Sequence, residues 1–172
     1  MKQLTTWGWA LFLALFFSLP TQAQDAKKLY EEGKALYDAK KYTEAFPKLK
    51  TAAEKGNKKA QYRLGRCYDK GHGVEESNEL AFKWYAKSAA QDYAKAQYQM
   101  GKCYKKGKGV PKDHKKAYTY FFKAAKQDNA DAQIALAECY MKGKGIAADP
   151  AKAKSWAKKA VKNENDGEEV QA

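Results

Sequence analysis

Cys67, Cys103 and Cys139 recur at one interval of 36 residues. A thiol can form a disulfide, ligate a metal or attack an electrophile, yet the equal interval argues against a bond among these three. Residues at one position of stacked repeats stand roughly 10 Å apart, the spacing of packed helices, whereas a disulfide needs Cα atoms within about 7 Å. The cysteines therefore read as small, buried, free thiols. An odd count fits an oxidising compartment only if they are hidden, because exposed thiols would pair. The two histidines, His72 and His114, have no Cys or His at ligand spacing, so no metal is expected. Ser155-Trp156-Ala157-Lys158 sets a hydroxyl one helical turn from an amine. It stands alone on a lysine-rich stretch without companion motifs, and neither GxSxG nor HExxH occurs. No catalytic residue, metal or cofactor is assigned, and the chain reads as non-enzymatic.

Two further groups could carry binding chemistry. Lys106-Gly107-Lys108-Gly109 resembles a phosphate nest, but its glycines suit a helix end and its lysines the negative pole of the helix dipole. With Lys70, His72, Lys142 and Lys144 these lysines should form a row along one edge. More informative are Tyr30 with Lys34, Tyr62 with Arg66 and Tyr98 with Lys102. Each pair is spaced i, i+4, so ring and cation share one helical face. Ile134 and Glu138 follow in the last copy. Three successive aromatic–basic pairs describe an amphipathic groove for an extended acidic ligand.

The elements that position these residues come from a repeat. AQYRLGRCYDKGHGV begins at Ala60, AQYQMGKCYKKGKGV at Ala96 and AQIALAECYMKGKGI at Ala132. Ala60, Leu64, Cys67 and Tyr68 follow helical spacing and form one apolar stripe, which defines a first helix, A. It ends at paired glycines: Gly71 and Gly73, Gly107 and Gly109, Gly143 and Gly145. Glycine just past a helix end supplies a left-handed conformation that other residues resist. Ser77, Asp113 and Asp149 then cap a second helix, B, and Pro150 suits its first position. Helix B carries Ala81, Trp84, Tyr85 and Ser88, with counterparts 36 and 72 residues later. One such pair cannot bury both faces, so the pairs must stack into a solenoid.

Leu64-Gly65-x-x-Tyr68, the Gly-x-Gly-Val loop, the capping Asp and the Ala-rich helix B resemble the Sel1-like repeat family, which is related to tetratricopeptide repeats. The resemblance covers residues 60–162, with Ala137 where the other copies have Gly65 and Gly101. It implies an all-α, right-handed α-solenoid of antiparallel helix pairs whose helix A lines the concave face. One tetratricopeptide-like pair would precede three 36-residue repeats. Ala60, Ala96, Ala132 and the six loop glycines would be structural. Some exported relatives staple each repeat with a cysteine in both helices; no helix B here has one.

Along the chain, residues 1–23 read as a secretory signal peptide. Lys2 gives a short positive start, Trp7 to Leu19 an apolar run too short to span a bilayer, Pro20 a break and Thr21-Gln22-Ala23 a cleavage site. The product would be exported, periplasmic in a Gram-negative source, without stable membrane insertion. The repeat domain is expected over 24–162, with repeats at about 26–59, 60–95, 96–131 and 132–162. In the first, Gly33, Ala45 and Ala52 imply a shorter turn at Asp38 to Lys41, and Pro47 implies a kink or a late start for helix B. Residues 163–172, NENDGEEVQA, read as an acidic disordered tail.

The net charge of +13 favours anionic partners, and export argues against nucleic acid. The family resemblance implies an adaptor, regulator or inhibitor of an envelope protein, holding an acidic protein or peptide in a basic, tyrosine-lined concave groove. The alternative is recognition or hydrolysis of cell-wall or β-lactam ligands, as in some cysteine-rich relatives. The partner's identity and the oligomeric state are not encoded legibly; a monomer is compatible with the sequence.

Overall fold

The computed structural model describes the backbone of residues 7–169 and the side chains of residues 22–163. Among the described residues eight helices follow in order: α1 Trp7–Asp38, α2 Tyr42–Glu54, α3 Lys58–Lys70, α4 Asn78–Ala90, α5 Ala94–Lys106, α6 His114–Ala125, α7 Ala130–Lys142 and α8 Pro150–Glu169. Each packs on its neighbours in sequence, giving an all-α solenoid of four helix pairs. Three core clusters lie along it. The first joins α1 to α3 around Leu49 and Leu64, the second α4 and α5 around Tyr85 and Met100, the third α6 to α8 around Phe121 and Leu136.

The paired-glycine loops divide their work. Gly71, Gly107 and Gly143 take φ of 63°, 74° and 62° and end their helices with an N–H donated to the carbonyl of Cys67, Cys103 or Cys139. The second glycine does a different job. A Cβ on Gly109 would run into the carbonyl of Asn78, the first residue of the preceding B helix. Gly73 on Tyr42 and Gly145 on His114 repeat the contact, so each loop seats against the B helix before it. Helix B then starts as expected. Ser77 Oγ accepts from Leu80 N at 3.3 Å, and Asp113 and Asp149 accept from Lys116 N and Lys152 N at 2.9 Å each. Asn57 and Asn129 cap α3 and α7 in the same way.

The first pair has the short turn that its spacing implies: Ala39 to Lys41 alone separate α1 from α2, with Lys40 at φ 60°. Its B helix does not start late, however. It begins at Tyr42 and carries Pro47 inside, since one lost backbone bond is tolerated in a helix whose Ala45, Leu49, Ala52 and Ala53 are buried. Two other boundaries differ from the sequence reading. The backbone of α1 passes through Pro20 without a break. Helix α8 runs to Glu169 through most of the acidic stretch that read as disordered, because an established helix propagates easily through good helix formers such as Glu. Residues 170–172 and 1–6, and the side chains of the proposed leader up to residue 21, lie outside the described residues. Among the described residues no helix is long and apolar enough to cross a membrane.

Candidate functional site: the face of the A helices

Helices α3 and α5 place two aromatic–cation pairs at equal register. Tyr62 on α3 packs edge-on against Tyr93 at 5.4 Å between ring centres and tilts against Tyr85 at 6.0 Å. One turn on, Arg66 is half-buried, its guanidinium 5.7 Å from the centre of the Tyr37 ring. On α5, Tyr98 leans on Phe121 at 5.9 Å, and Lys102 Nζ lies 5.2 Å from the Tyr98 ring centre. Burial, then the neighbouring Lys106, holds the Lys102 amine below its ordinary value. Beside this pair a cavity of about 250 Å³ opens toward α7, lined by Tyr98, Lys102, Lys106, Asp131, Ile134 and Glu138. These rings are clamped by other rings, so they offer rigid apolar surface next to fixed positive charge.

The first expected pair does not belong to this surface. Tyr30 is 6% exposed and sits in the core cluster that joins α1, α2 and α3. Its ring packs between helices, at the edge of a cavity between the start of α1 and α3 and away from the Tyr62–Tyr98 row. Lys34 is not free either: its Nζ donates to Asp38 at 3.0 Å, and Arg63 donates to the other oxygen of that carboxylate at 2.9 Å. Lys34 and Arg63 hold the Asp38 carboxyl below its usual range. In the fourth copy Ile134 is exposed and Glu138 accepts from Lys105 at 2.8 Å, so the aromatic–basic pattern ends at α5.

Two arrangements went unseen in the sequence. Tyr37 Oη lies 2.9 Å from His72 Nδ1, and the His72 ring stacks on Tyr42 at 3.8 Å. Arg63 and Arg66 stand 5.0 and 5.7 Å from the Tyr37 ring centre. Tyr37 has no counterpart in the later copies, so repetition could not flag it. The second is a buried glutamine in the A helix of each of the three 36-residue repeats. Gln61 accepts from Gln91 at 2.8 Å, Gln97 from Gln127 at 2.8 Å and Gln133 from Asn163 at 3.0 Å, tying each A helix to the end of its B helix. The Ala-Gln dipeptide at 60, 96 and 132 was the available signal.

The edge lysines are only partly free, since Lys108 donates to Asp69 at 3.3 Å. Ser155 and Lys158 are both exposed on α8. The three cysteines are buried and unbonded. Among the described residues no group of His, Cys, Asp or Glu could hold a metal ion.

Comparison with known proteins places this arrangement. The pattern of the Sel1 repeat matches residues 58–93, 94–129 and 130–165. A Sel1 repeat protein from Oxalobacter formigenes superposes with a TM-score of 0.74 and 37% identity, covering 78% of this chain and 55% of that one. A protective antigen of uropathogenic Escherichia coli, displaying an SLR fold, gives 0.77 and 31%, covering 84% of this chain and 32% of that one. Over 49 residues, 28% of the chain, it is 43% identical to the chitin synthase regulator SKT5 of Saccharomyces cerevisiae, of which it spans 7%. The chain thus spans about half or less of each of these relatives.

Proposed function

Because the chain belongs to the Sel1 repeat family, we propose that it is an exported, non-enzymatic interaction module that binds an acidic segment of a protein partner across Tyr62, Arg66, Tyr98 and Lys102. Sel1 repeats generally mediate protein–protein contacts and are typically scaffolds without catalytic activity. The observation that carries the finer reading is the matched pair of ring and cation on adjacent helices, beside a cavity of about 250 Å³. An extended peptide laid across α3 and α5 would meet a tyrosine and a cation at each step. The match to a regulator, though short, favours a regulatory or adaptor role. Lys2, the apolar run Trp7 to Leu19 and the small residues before Gln24 favour export of the mature chain, into the periplasm in a Gram-negative source.

The test is a ranking. A partner recovered by crosslinking in envelope extract is titrated against purified variants. Aromatic and Arg residues dominate binding hot spots, with truncation costs of about 2 kcal/mol or more. Tyr98→Ala with Lys102→Ala should therefore weaken binding at least about tenfold while helicity is kept. Lys142→Ala with Lys144→Ala, at the exposed edge, should change mainly the salt dependence. The reverse ranking would move the interface to the loop edge and discard the groove.

A further inference from the structure

A second recess of about 60 Å³, sharing Lys102 and Lys106 with the groove cavity, lies where α3 and α5 meet over α4. Four lysines line it, Lys70, Lys102, Lys106 and Lys108, against one carboxylate, Asp69. Asp69 is already engaged, 3.3 Å from Lys108 and 3.6 Å from Lys70. Among the described residues no carboxylate pairs with Lys102 or Lys106. Tyr85 from α4 also lines the recess. It is 1% exposed, and its hydroxyl, with under 1 Å² of surface, finds no hydrogen-bond partner among the protein atoms. A buried hydroxyl without a partner is uncommon and needs a cause. Burial and the nearby Asp69 push the phenol well above its ordinary value, so it remains a donor.

The next repeat supplies an internal comparison. The same place, 36 residues on, holds a cavity of about 30 Å³ in which Phe121 stands for Tyr85, Glu138 for Lys102 and Lys105 for Asp69. There Lys105 donates to Glu138 at 2.8 Å, so the carboxylate that replaces Lys102 is already paired, while Lys142 and Lys144 stand where Lys106 and Lys108 do. The Lys102 cation and the orphan hydroxyl thus occur together in one repeat and are replaced together, by Glu138 and Phe121, in the next. Packing does not demand the hydroxyl, because Phe121 fills the equivalent space, 1% exposed, without it.

We propose that this recess binds an oxyanion group, a phosphate or a carboxylate, with Lys102 and Lys106 supplying the charge and Tyr85 Oη donating the closing hydrogen bond. The volume exceeds that of a single water site and suits one such head group. The flexible lysine stems that line the recess shift to let the anion reach the hydroxyl. The site shares Lys102 with the groove, but it acts on a small ion by itself, and Tyr85, which the groove does not use, separates the two readings. It would also serve as the terminal pocket for one acidic group of a longer ligand.

The experiment is an NMR titration of the isotope-labelled chain with sodium phosphate and, separately, sodium acetate, at ionic strength held constant with sodium chloride. Saturable shifts are expected at the amides of Tyr85 and Lys102 to Lys106, with a matching rise in melting temperature. Tighter saturation by phosphate would identify a phosphate ligand, and by acetate the carboxylate of an acidic residue. Tyr85→Phe should weaken the better anion about tenfold, the worth of one hydrogen bond to a charged group. Without anion it should melt no lower than the parent chain, since it removes only an unpartnered group. Lys102→Gln with Lys106→Gln should abolish saturation, whereas Lys144→Gln in the next repeat should bind like the parent. Equal affinity in Tyr85→Phe, or non-saturating shifts spread over the exposed lysines, would overturn the site and leave the peptide groove untouched.

Discussion

Burial pushes the thiols of Cys67 and Cys103 up to about 11, so neither is ionised enough at neutral pH to attack a reagent. Cys139 shifts the same way for the same cause. Folded protein should therefore react with almost no thiol reagent, and unfolding without reductant should release about three equivalents. Recovery of one thiol or none from monomeric protein would mean a disulfide that this packing does not allow. Ser155 belongs to the same scale. It is exposed on α8 with Lys158, also exposed, one turn on. A fluorescent penicillin should leave the protein unlabelled; labelling abolished by Ser155→Ala would revive the cell-wall reading. The thiols and the three helix-B caps were legible because each repeats at 36 residues and each has one favoured role. Tyr30 was misjudged because periodicity places a residue on a stripe without saying how wide the stripe is. The core around α1 is wide enough to take Tyr30 in as well as Leu49 and Leu64. Tyr37 was missed because its contact to His72 crosses 35 residues and occurs once.

At the level of elements, the two loop glycines should respond differently to the same change. Gly107→Ala keeps ordinary contacts, the nearest atom 3.4 Å from the new Cβ, and should cost about 1–2 kcal/mol for its left-handed backbone alone. Gly109→Ala must also displace the Asn78 carbonyl and should cost about 2–4 kcal/mol. Equal losses in urea denaturation would show that the second glycine does not lock the loop to α4. Helix pairing offers a second test. A Cβ on Gly65 would come within 2.6 Å of the Tyr85 ring, and Gly101 is covered by Phe121 in the same way. The last repeat has Ala137 and Ala157 at these two places. Ala137 in place of the glycine on α7 is thus half of a paired exchange. Ala157→Tyr alone should be unfavourable. Combined with Ala137→Gly it should recover by about 1 kcal/mol beyond additivity, the size expected for residues in contact. Strict additivity would mean the ring never reaches α7. Helix number, loop position and the short first turn were all readable, because caps and glycines are local signals. The ends of α1 and α8 and the course of α2 through Pro47 were not. No breaker rule says how much helix a packed or already propagating segment will tolerate.

Across the whole molecule, stability must be shared between neighbours, because each helix packs mainly on those before and after it. Ion pairs do step from one A helix toward the next: Arg63 to Asp38, Lys108 to Asp69, Lys105 to Glu138. At least one partner in each is substantially exposed, and such pairs contribute about 0–1 kcal/mol. Apolar burial therefore carries the stack, and its distribution is uneven. The centre, around Tyr85 and Met100, is covered on both sides. The last pair presents Ile134, Met141 and Val161 at 43%, 58% and 57% exposure, the row that another repeat would otherwise cover. In a one-dimensional stack such an end opens first. Native hydrogen exchange should thus be fastest in α8 and slowest in α4 and α5. Leu136→Ala, at a fully buried position near that end, should lose about 2–5 kcal/mol locally and speed exchange in α7 and α8 while α3 keeps its protection. Met100→Ala, equally buried but central, should speed exchange on both sides of α5. If both variants lower protection equally from α2 to α8, the solenoid unfolds as one cooperative block, and the nearest-neighbour account fails.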